Sequence, residues 1–282
     1  MGITLSHNEF LLMQKYINEL CGFFISEDKS YLIESRLSKI LLESGARSFL
    51  DLYAMLAGNK NTPLADRVVD AITTHETQWF RDKTIWRIFK DILLPEYTSE
   101  ILGGGRTTVK IWSAACSTGQ EPYSIAMCID AHLKKNGLSA IKDSFRILAT
   151  DVSPSVLRLA ETGRYDGIAM VRGLDDGQKK DYFRENAGSW NINPDLKGLI
   201  EFRRFNLTES FLPLGRFDVI FCRYVTIYFN EQLKKKVLAN MASLLNDRGV
   251  LFLGNSEIFP GCEERFIPER YGEGVYYRLK GV

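Results

Sequence analysis

Apolar positions recur at helical spacing through the first part of the chain. Phe10, Leu11, Tyr16, Ile17 and Leu20 form one stripe, and Tyr31, Leu32, Ile33, Leu37, Ile40, Leu41 and Leu42 a second. Phe49, Leu52, Tyr53 and Leu56 give a third, and Leu64, Val68, Val69 and Ile72 a fourth. Ser6 followed by Glu9 predicts a capping box for the first helix. Gly45 and the Gly58-Asn59 pair close the second and third helices. Residues 1–74 are therefore expected to form an all-helical domain, with 75–100 as an interdomain segment and linker.

Beyond residue 100 the period changes. Strand-like runs fall at Val109–Ser113, Phe145–Thr150, Ile200–Phe205, Phe217–Cys222, Val250–Gly254 and Val275–Leu279. Helical stretches lie between them at Tyr123–Lys135, Pro154–Gly163 and Glu231–Leu245. That alternation predicts an α/β fold around a mostly parallel sheet over 101–282. Residues 165–200 fit the alternation poorly and read as an insertion, with Asn193-Pro194 marking a turn.

The densest chemical signal is VKIWSAACSTGQEPYSI, Val109 to Ile125. It reads as a buried strand, a loop of small residues and a helix whose first turn accepts Pro122. Such a loop lets a nucleotide-like ligand approach the backbone closely. The loop is neither GxGxxG nor a Lys-Ser/Thr phosphate loop. Glu121 at the helix start favours a hydroxyl-rich or cationic ligand over a phosphate; its plainer alternative is a cap.

In open parallel sheets ligands sit at the carboxyl ends of the strands. Asp151 ends the second strand, where a carboxylate accepts hydrogen bonds from ribose; the alternative is a cap for the helix at Pro154, which Ser153 serves equally well. Asn206 follows the third strand and suits an adenine edge or a turn. Arg223, Tyr224 and Tyr228 follow the fourth, and an arginine there calls for an acid or a ligand. In TTHETQWFRD, Thr73 to Asp82, Glu76 and Arg81 offer either a surface ion pair or a site.

The bulk numbers narrow the classes. Of 282 residues, 45% are hydrophobic and 25% charged, and the formal net charge is +1. No global charge favours nucleic acid or membrane. No apolar run reaches the ~18 residues of a membrane span, and no signal peptide is evident. The five widely spaced cysteines suit reduced thiols in a cytoplasmic protein. The three histidines show no metal spacing, so no metal is expected.

Taken together, these motifs resemble the CheR family of chemoreceptor glutamate methyltransferases over nearly the whole chain. HETQWFR is similar to the family's N-E-T-x-F-F-R, and WSAACSTGQEPYSIAM to its W-S-A-x-C-S-T-G-E-E-P-Y-S segment. ILATDVSPSVL, GRYD, FNL, FDVIFCRYVTIYF and LFLGNSE follow in the family order. The resemblance implies a helical domain, a Rossmann-like methyltransferase sheet with a small β-subdomain inserted near 175–205, and S-adenosylmethionine as cofactor. The substrate class it implies is glutamate side chains on the cytoplasmic helical part of chemoreceptors. By motif position, His75, Thr77 and Arg81 approach the cofactor from the interdomain segment. Glu121 and Asp151 bind its amino-acid and ribose parts, Asn206 and Leu207 flank the adenine, and Arg223 and Tyr224 complete the pocket. Arg81 and Tyr228 match the residues nearest the reacting centre. His75 and Tyr224 stand where the family usually has Asn.

Lys29, Arg36, Lys39 and Arg47, in or beside the second helix, suggest a receptor-docking face with Glu34 and Glu43 as the opposing charges. No glycine-rich loop corresponding to a receptor-tether site is apparent after Tyr182. A monomer that binds no nucleic acid and does not insert directly into a membrane is expected. The second reading is a catalytically weakened methyltransferase-like module that docks on receptors or signalling partners.

Overall fold

A computed structural model of the chain describes residues 4–60, 62–257 and 263–281. The amino-terminal helices are α1 (His7–Cys21), α2 (Tyr31–Glu43), α3 (Phe49–Ala57) and α4 (Pro63–Ile72). Ser6 and Glu9 form the capping box ahead of α1, and Pro63 takes the first turn of α4 behind the Thr62 cap. The stripes of these helices close on one core containing Met13, Ile17, Leu37, Leu52 and Val68.

Helices α5 (Lys83–Ile88) and α6 (Leu94–Leu102) follow, joined by a π-helical turn over Phe89–Leu93. The sequence placed this stretch in a linker. Its apolar residues Ile85, Trp86, Ile88, Phe89 and Leu93 instead belong to the core of the following sheet. That sheet is built from β1 (Val109–Ala114), α7 (Gln120–Lys135), β2 (Phe145–Asp151) and α8 (Pro154–Thr162). An inserted unit comes next: β3 (Arg164–Asp166), α9 (Asp176–Tyr182), β4 (Phe183–Asn186), β5 (Ser189–Ile192) and α10 (Pro194–Lys197). The chain then returns through β6 (Ile200–Arg204), β7 (Phe217–Cys222), α11 (Glu231–Leu244), β8 (Leu245–Leu253), β9 (Phe266–Tyr271) and β10 (Gly274–Leu279).

The seven-stranded sheet runs β6-β2-β1-β7-β8-β10-β9. The first five strands are parallel, and β10 pairs antiparallel with both β8 and β9. Both faces are covered, which is why the central strands read as continuous apolar runs. Ile111, Ile147 and Val219 pack on one side with α5, α6 and α7. Trp112, Leu148 and Ile220 pack on the other with Val237, Leu238 and Met241 of α11.

The inserted strands form their own antiparallel sheet, β3-β5-β4. It begins at Arg164, where the alternation breaks down and ahead of the 175 expected for the subdomain, because a three-residue strand leaves no readable period. At the other end β6, read from sequence as the third strand although the subdomain was bounded near 205, belongs to the main sheet beside β2. The β4–β5 turn is only Ala187-Gly188, both left-handed, as a tight hairpin requires.

The helical bundle seats on the carboxyl ends of the strands. Val152 and Tyr228 pack into its core. Asn206 Nδ2 donates to the Leu20 carbonyl at 2.7 Å, and Phe24 N–H donates to the Tyr228 carbonyl at 2.8 Å. Gly22 ends α1 with φ +78°, and a Cβ there would meet Leu233 Cδ2 at 2.6 Å. Among the described residues no helix is long and apolar enough to cross a membrane. Cys21, Cys116, Cys128 and Cys222 are free and buried, whereas Cys262 lies outside the described residues.

Candidate active site

Chain order reverses across β1: β2 lies on one side and β7 on the other. A ligand crevice opens at such a switch point. Here it encloses ≈ 950 Å³ of empty space, its open mouth included. The walls come from the β1–α7 loop, the ends of β2, β6 and β7, the 73–81 segment and the end of α1. Every residue that the resemblance assigns to the cofactor or the reacting centre lines this one cleft: His75, Thr77, Arg81, Glu121, Asp151, Asn206, Leu207, Arg223, Tyr224 and Tyr228.

The β1–α7 loop alternates left-handed residues, with Ala115 at φ +57°, Ser117 at +50° and Gly119 at +92°. A Cβ on Gly119 would press to 2.9 Å from Ala160 Cβ. Glu121 is not the cap of α7. Its carboxylate receives Ser113 Oγ at 2.8 Å and Arg223 Nη1 at 2.8 Å.

Asp151 is not the cap of α8 either, because Ser153 Oγ takes the Val156 N–H. The Asp151 carboxylate accepts Ser117 N–H at 2.9 Å and Ser153 N–H at 3.0 Å. Burial nevertheless pushes its carboxyl above the ordinary value, against those two bonds. Cys116 belongs to the β1–α7 loop and is buried. Burial, with Asp151 and Glu121 nearby, raises its thiol well above the usual range, which removes it as a nucleophile.

Arg223 crosses the floor of the cleft with its side chain only 2% exposed. It donates to Glu121, to Asp82 Oδ2 at 2.8 Å and to the Arg81 carbonyl at 2.7 Å. Burial works against its charge, and Glu121 and Asp82 more than restore it, so the guanidinium is held above its ordinary value. Its buried Nε–H has no partner, a donor left over in a cleft wall. The site thus holds two guanidiniums, Arg81 and Arg223, and three carboxylates, Asp82, Glu121 and Asp151, of which Arg223 pairs with Asp82 and Glu121. That balance, with the spare donor, fits a ligand carrying cationic centres and a carboxylate.

Arg81 and Glu76 do not pair through side chains. The Glu76 carboxylate lies 3.7 Å from Arg172 Nη1, and Arg81 Nη1 makes one long bond, 3.4 Å, to the Glu76 carbonyl. The Arg81 guanidinium instead sits 3.6 Å above the Tyr224 ring. Tyr228 stacks on Phe23 with centroids 4.8 Å apart. The His75 ring turns toward α4: its Nε2 lies 3.0 Å from the Asp70 carbonyl and 3.2 Å from Thr73 Oγ1. Only the His75 backbone, accepting from Ser117 Oγ at 3.0 Å, holds the loop. Asn206 also accepts Thr208 N–H, so its amide keeps one donor and one acceptor position free.

The residue-by-residue reading missed Asp82 and Glu257. Both lie within the motifs TTHETQWFRD and LFLGNSE. The Glu257 carboxylate gathers Gly254 N–H (2.8 Å), Tyr224 N–H (2.6 Å), Thr226 N–H (2.9 Å) and Thr226 Oγ (2.7 Å). It thereby shapes the loop that carries Arg223 and Tyr224.

A doubly covered sheet with a small-residue loop and a switch-point cleft, preceded by a helical bundle, is the architecture of an S-adenosylmethionine-dependent methyltransferase with an appended domain. Residues 8–73 match the family model described as CheR methyltransferase, all-alpha domain, and residues 75–273 match CheR methyltransferase, SAM binding domain. The chain belongs to the CheR methyltransferase family, and S-adenosylmethionine is its cofactor. It is 38% identical to chemotaxis protein methyltransferase Cher2 of Pseudomonas putida, over 96% of this chain and 98% of that one. It is 40% identical to a chemotaxis protein methyltransferase of Vibrio parahaemolyticus, over 99% of each. Chemotaxis protein methyltransferase 1 of Pseudomonas aeruginosa is 37% identical, over 99% of this chain and 100% of that one.

Proposed function

We propose that this chain transfers a methyl group to glutamate side chains on the cytoplasmic helical part of chemoreceptors, forming methyl esters for chemotactic adaptation. The observation that carries this reading is Arg81. It is a guanidinium at the cleft held over a ring, with a single 3.4 Å hydrogen bond of its own. Its donors are available to a carboxylate. The names of the full-length relatives support the same substrate class.

In this reading Glu121 and Arg223 meet the amino-acid part of the cofactor and Asp151 accepts from its ribose. Thr77, Asn206 and Leu207 border the rest. S-adenosylmethionine supplies a methyl group activated by its sulfonium charge. A glutamate substrate is already ionised at neutral pH, so no general base is required. Arg81 draws its carboxylate in and Tyr228 orients one oxygen toward the methyl carbon. Alignment of this kind supplies up to roughly 7–11 kcal/mol of a barrier. The carboxylate loses charge as the ester forms, so exclusion of water by the helical bundle favours the reaction.

Receptor docking falls to α2 and its flanks. Lys39, whose side chain is 83% exposed, lies 3.8 Å from Glu43. Arg36 donates to the Ile72 carbonyl and so serves the bundle. The test is transfer from methyl-labelled S-adenosylmethionine to a purified receptor cytoplasmic fragment. Label released as methanol by mild base, and lost when the fragment's glutamates are replaced by alanine, is expected. Cofactor binding with no label in the fragment would instead favour a docking module without turnover.

A further inference from the structure

Tyr224 adopts φ +57°, a left-handed conformation that a bulky side chain enters only at a cost. The Glu257 carboxylate, through its bonds to Tyr224 N–H, Thr226 and Gly254, holds the loop in that shape. Backbone held against its preference marks a place where the side chain's direction matters.

That side chain does two things at once. Its ring lies under the Arg81 guanidinium, with Cζ 3.6 Å from the centroid. Its hydroxyl donates to Asp82 Oδ2 at 2.6 Å, the same oxygen that receives Arg223 Nη2 at 2.8 Å. Asp82 is the nearest carboxylate in sequence to Arg81 and the obvious competitor for it. An Arg81–Asp82 pair would fill the guanidinium edge and neutralise it. Tyr224 and Arg223 together occupy Asp82. The ring then supports Arg81 through its face and leaves the N–H edge free.

We propose that Tyr224 is a positioning residue, which orients Arg81 toward the substrate carboxylate and keeps Asp82 from capturing it, without itself touching the reacting atoms. The proposal rests on the role assigned to Arg81 above. It separates Tyr224 from the cofactor-contacting residues among which the sequence resemblance placed it.

The test uses the full chain with Tyr224→Phe, Tyr224→Leu and Tyr224→Asn. In the free protein, NMR signals of the Arg81 side chain are expected to carry an upfield ring-current shift. The Phe variant should retain it and the Leu and Asn variants should lose it. With a receptor cytoplasmic fragment, kcat/KM is expected to fall about tenfold in the Leu and Asn variants and by an intermediate factor of about three in Phe, which keeps the ring under Arg81 but loses the bond to Asp82. S-adenosylhomocysteine affinity, measured by calorimetry, should be unchanged throughout. Asn accepts the left-handed conformation readily, so its melting temperature should match or exceed that of the parent. Its loss of activity is then not a loss of folding. Unshifted Arg81 signals in the parent chain, a Leu variant with parental kcat/KM, or a fall in S-adenosylhomocysteine affinity matching the fall in rate would each overturn the proposal. If the parent chain itself forms no glutamate ester, the functional reading fails, while the Arg81 signals still decide the positioning role.

Discussion

Replacing Glu257 by Gln tests the support of the site with almost no change of shape. Each carboxylate oxygen accepts two bonds. One takes Gly254 N–H and Tyr224 N–H, and the other takes Thr226 N–H and the Thr226 hydroxyl. An amide can keep only one of these pairs. If its oxygen stays with Gly254 and Tyr224, its NH2 faces Thr226. The Thr226 hydroxyl can rotate and accept, but the Thr226 N–H then has no partner. Loss of charge assistance on the surviving bonds, plus one orphaned buried N–H, comes to about 3 kcal/mol. For a domain of this size that lowers the melting temperature by roughly 6–12 °C. Scanning calorimetry of the Gln variant measures it directly. Methyl transfer should fall further than stability alone dictates, because the same loop carries Arg223 and Tyr224 and about 1.4 kcal/mol of misplacement is tenfold in rate. A Gln variant that melts within about 1 °C of the parent and turns over normally would refute the reasoning.

Other perturbations separate neighbouring effects. Arg223→Met strips the shared cation from Asp82 and Glu121 and should cost about 3–5 kcal/mol in denaturant unfolding. Gly173→Ala introduces a Cβ 1.9 Å from the Trp79 carbonyl oxygen at a residue with φ +97°, so the 167–174 loop should become more sensitive to limited proteolysis. His132 is held below its ordinary value by burial and then by Lys135. The unfolded chain therefore takes up the proton first, and stability is lost as pH falls through the ordinary value. His132→Gln should flatten the fall in stability between about pH 7.5 and pH 5.5. Burial raises the Asp151 carboxyl, and in the ribose-binding role proposed for it the ligand's hydroxyls would favour its ionised form. S-adenosylhomocysteine affinity should therefore weaken as pH falls through that raised value, and Asp151→Asn should remove the dependence in calorimetric titrations.

What the sequence disclosed, and what it withheld, follows from locality. β1, β2 and β7 were legible because a strand buried on both faces is an unbroken apolar run. The four amino-terminal helices were legible because each carries its own stripe and cap. β9 escaped because FIPERY holds a proline and charges, as an edge strand may. The helices from Lys83 to Leu102 escaped as core elements because a π-helical turn breaks the period between them. In the cleft, residue types announced the location. Only the fold showed that Asn206 is partly engaged by Leu20, 186 positions away, or that the His75 ring caps α4. Ionic partners such as Asp82 and Arg223, 141 positions apart, leave no trace in spacing.

The seating of α1 sets a limit on how the two regions can be recombined. A chimera that takes its helical bundle from a relative and joins it at residues 73–75 would preserve the chain connection and break the fit. Gly22 must meet Leu233, Phe23 must meet Tyr228, and the Leu20 carbonyl must meet Asn206. The exchangeable unit is therefore the bundle together with the turns at 206–208 and 228–233. The docking role proposed for the helices can be transplanted only along with part of the cleft wall.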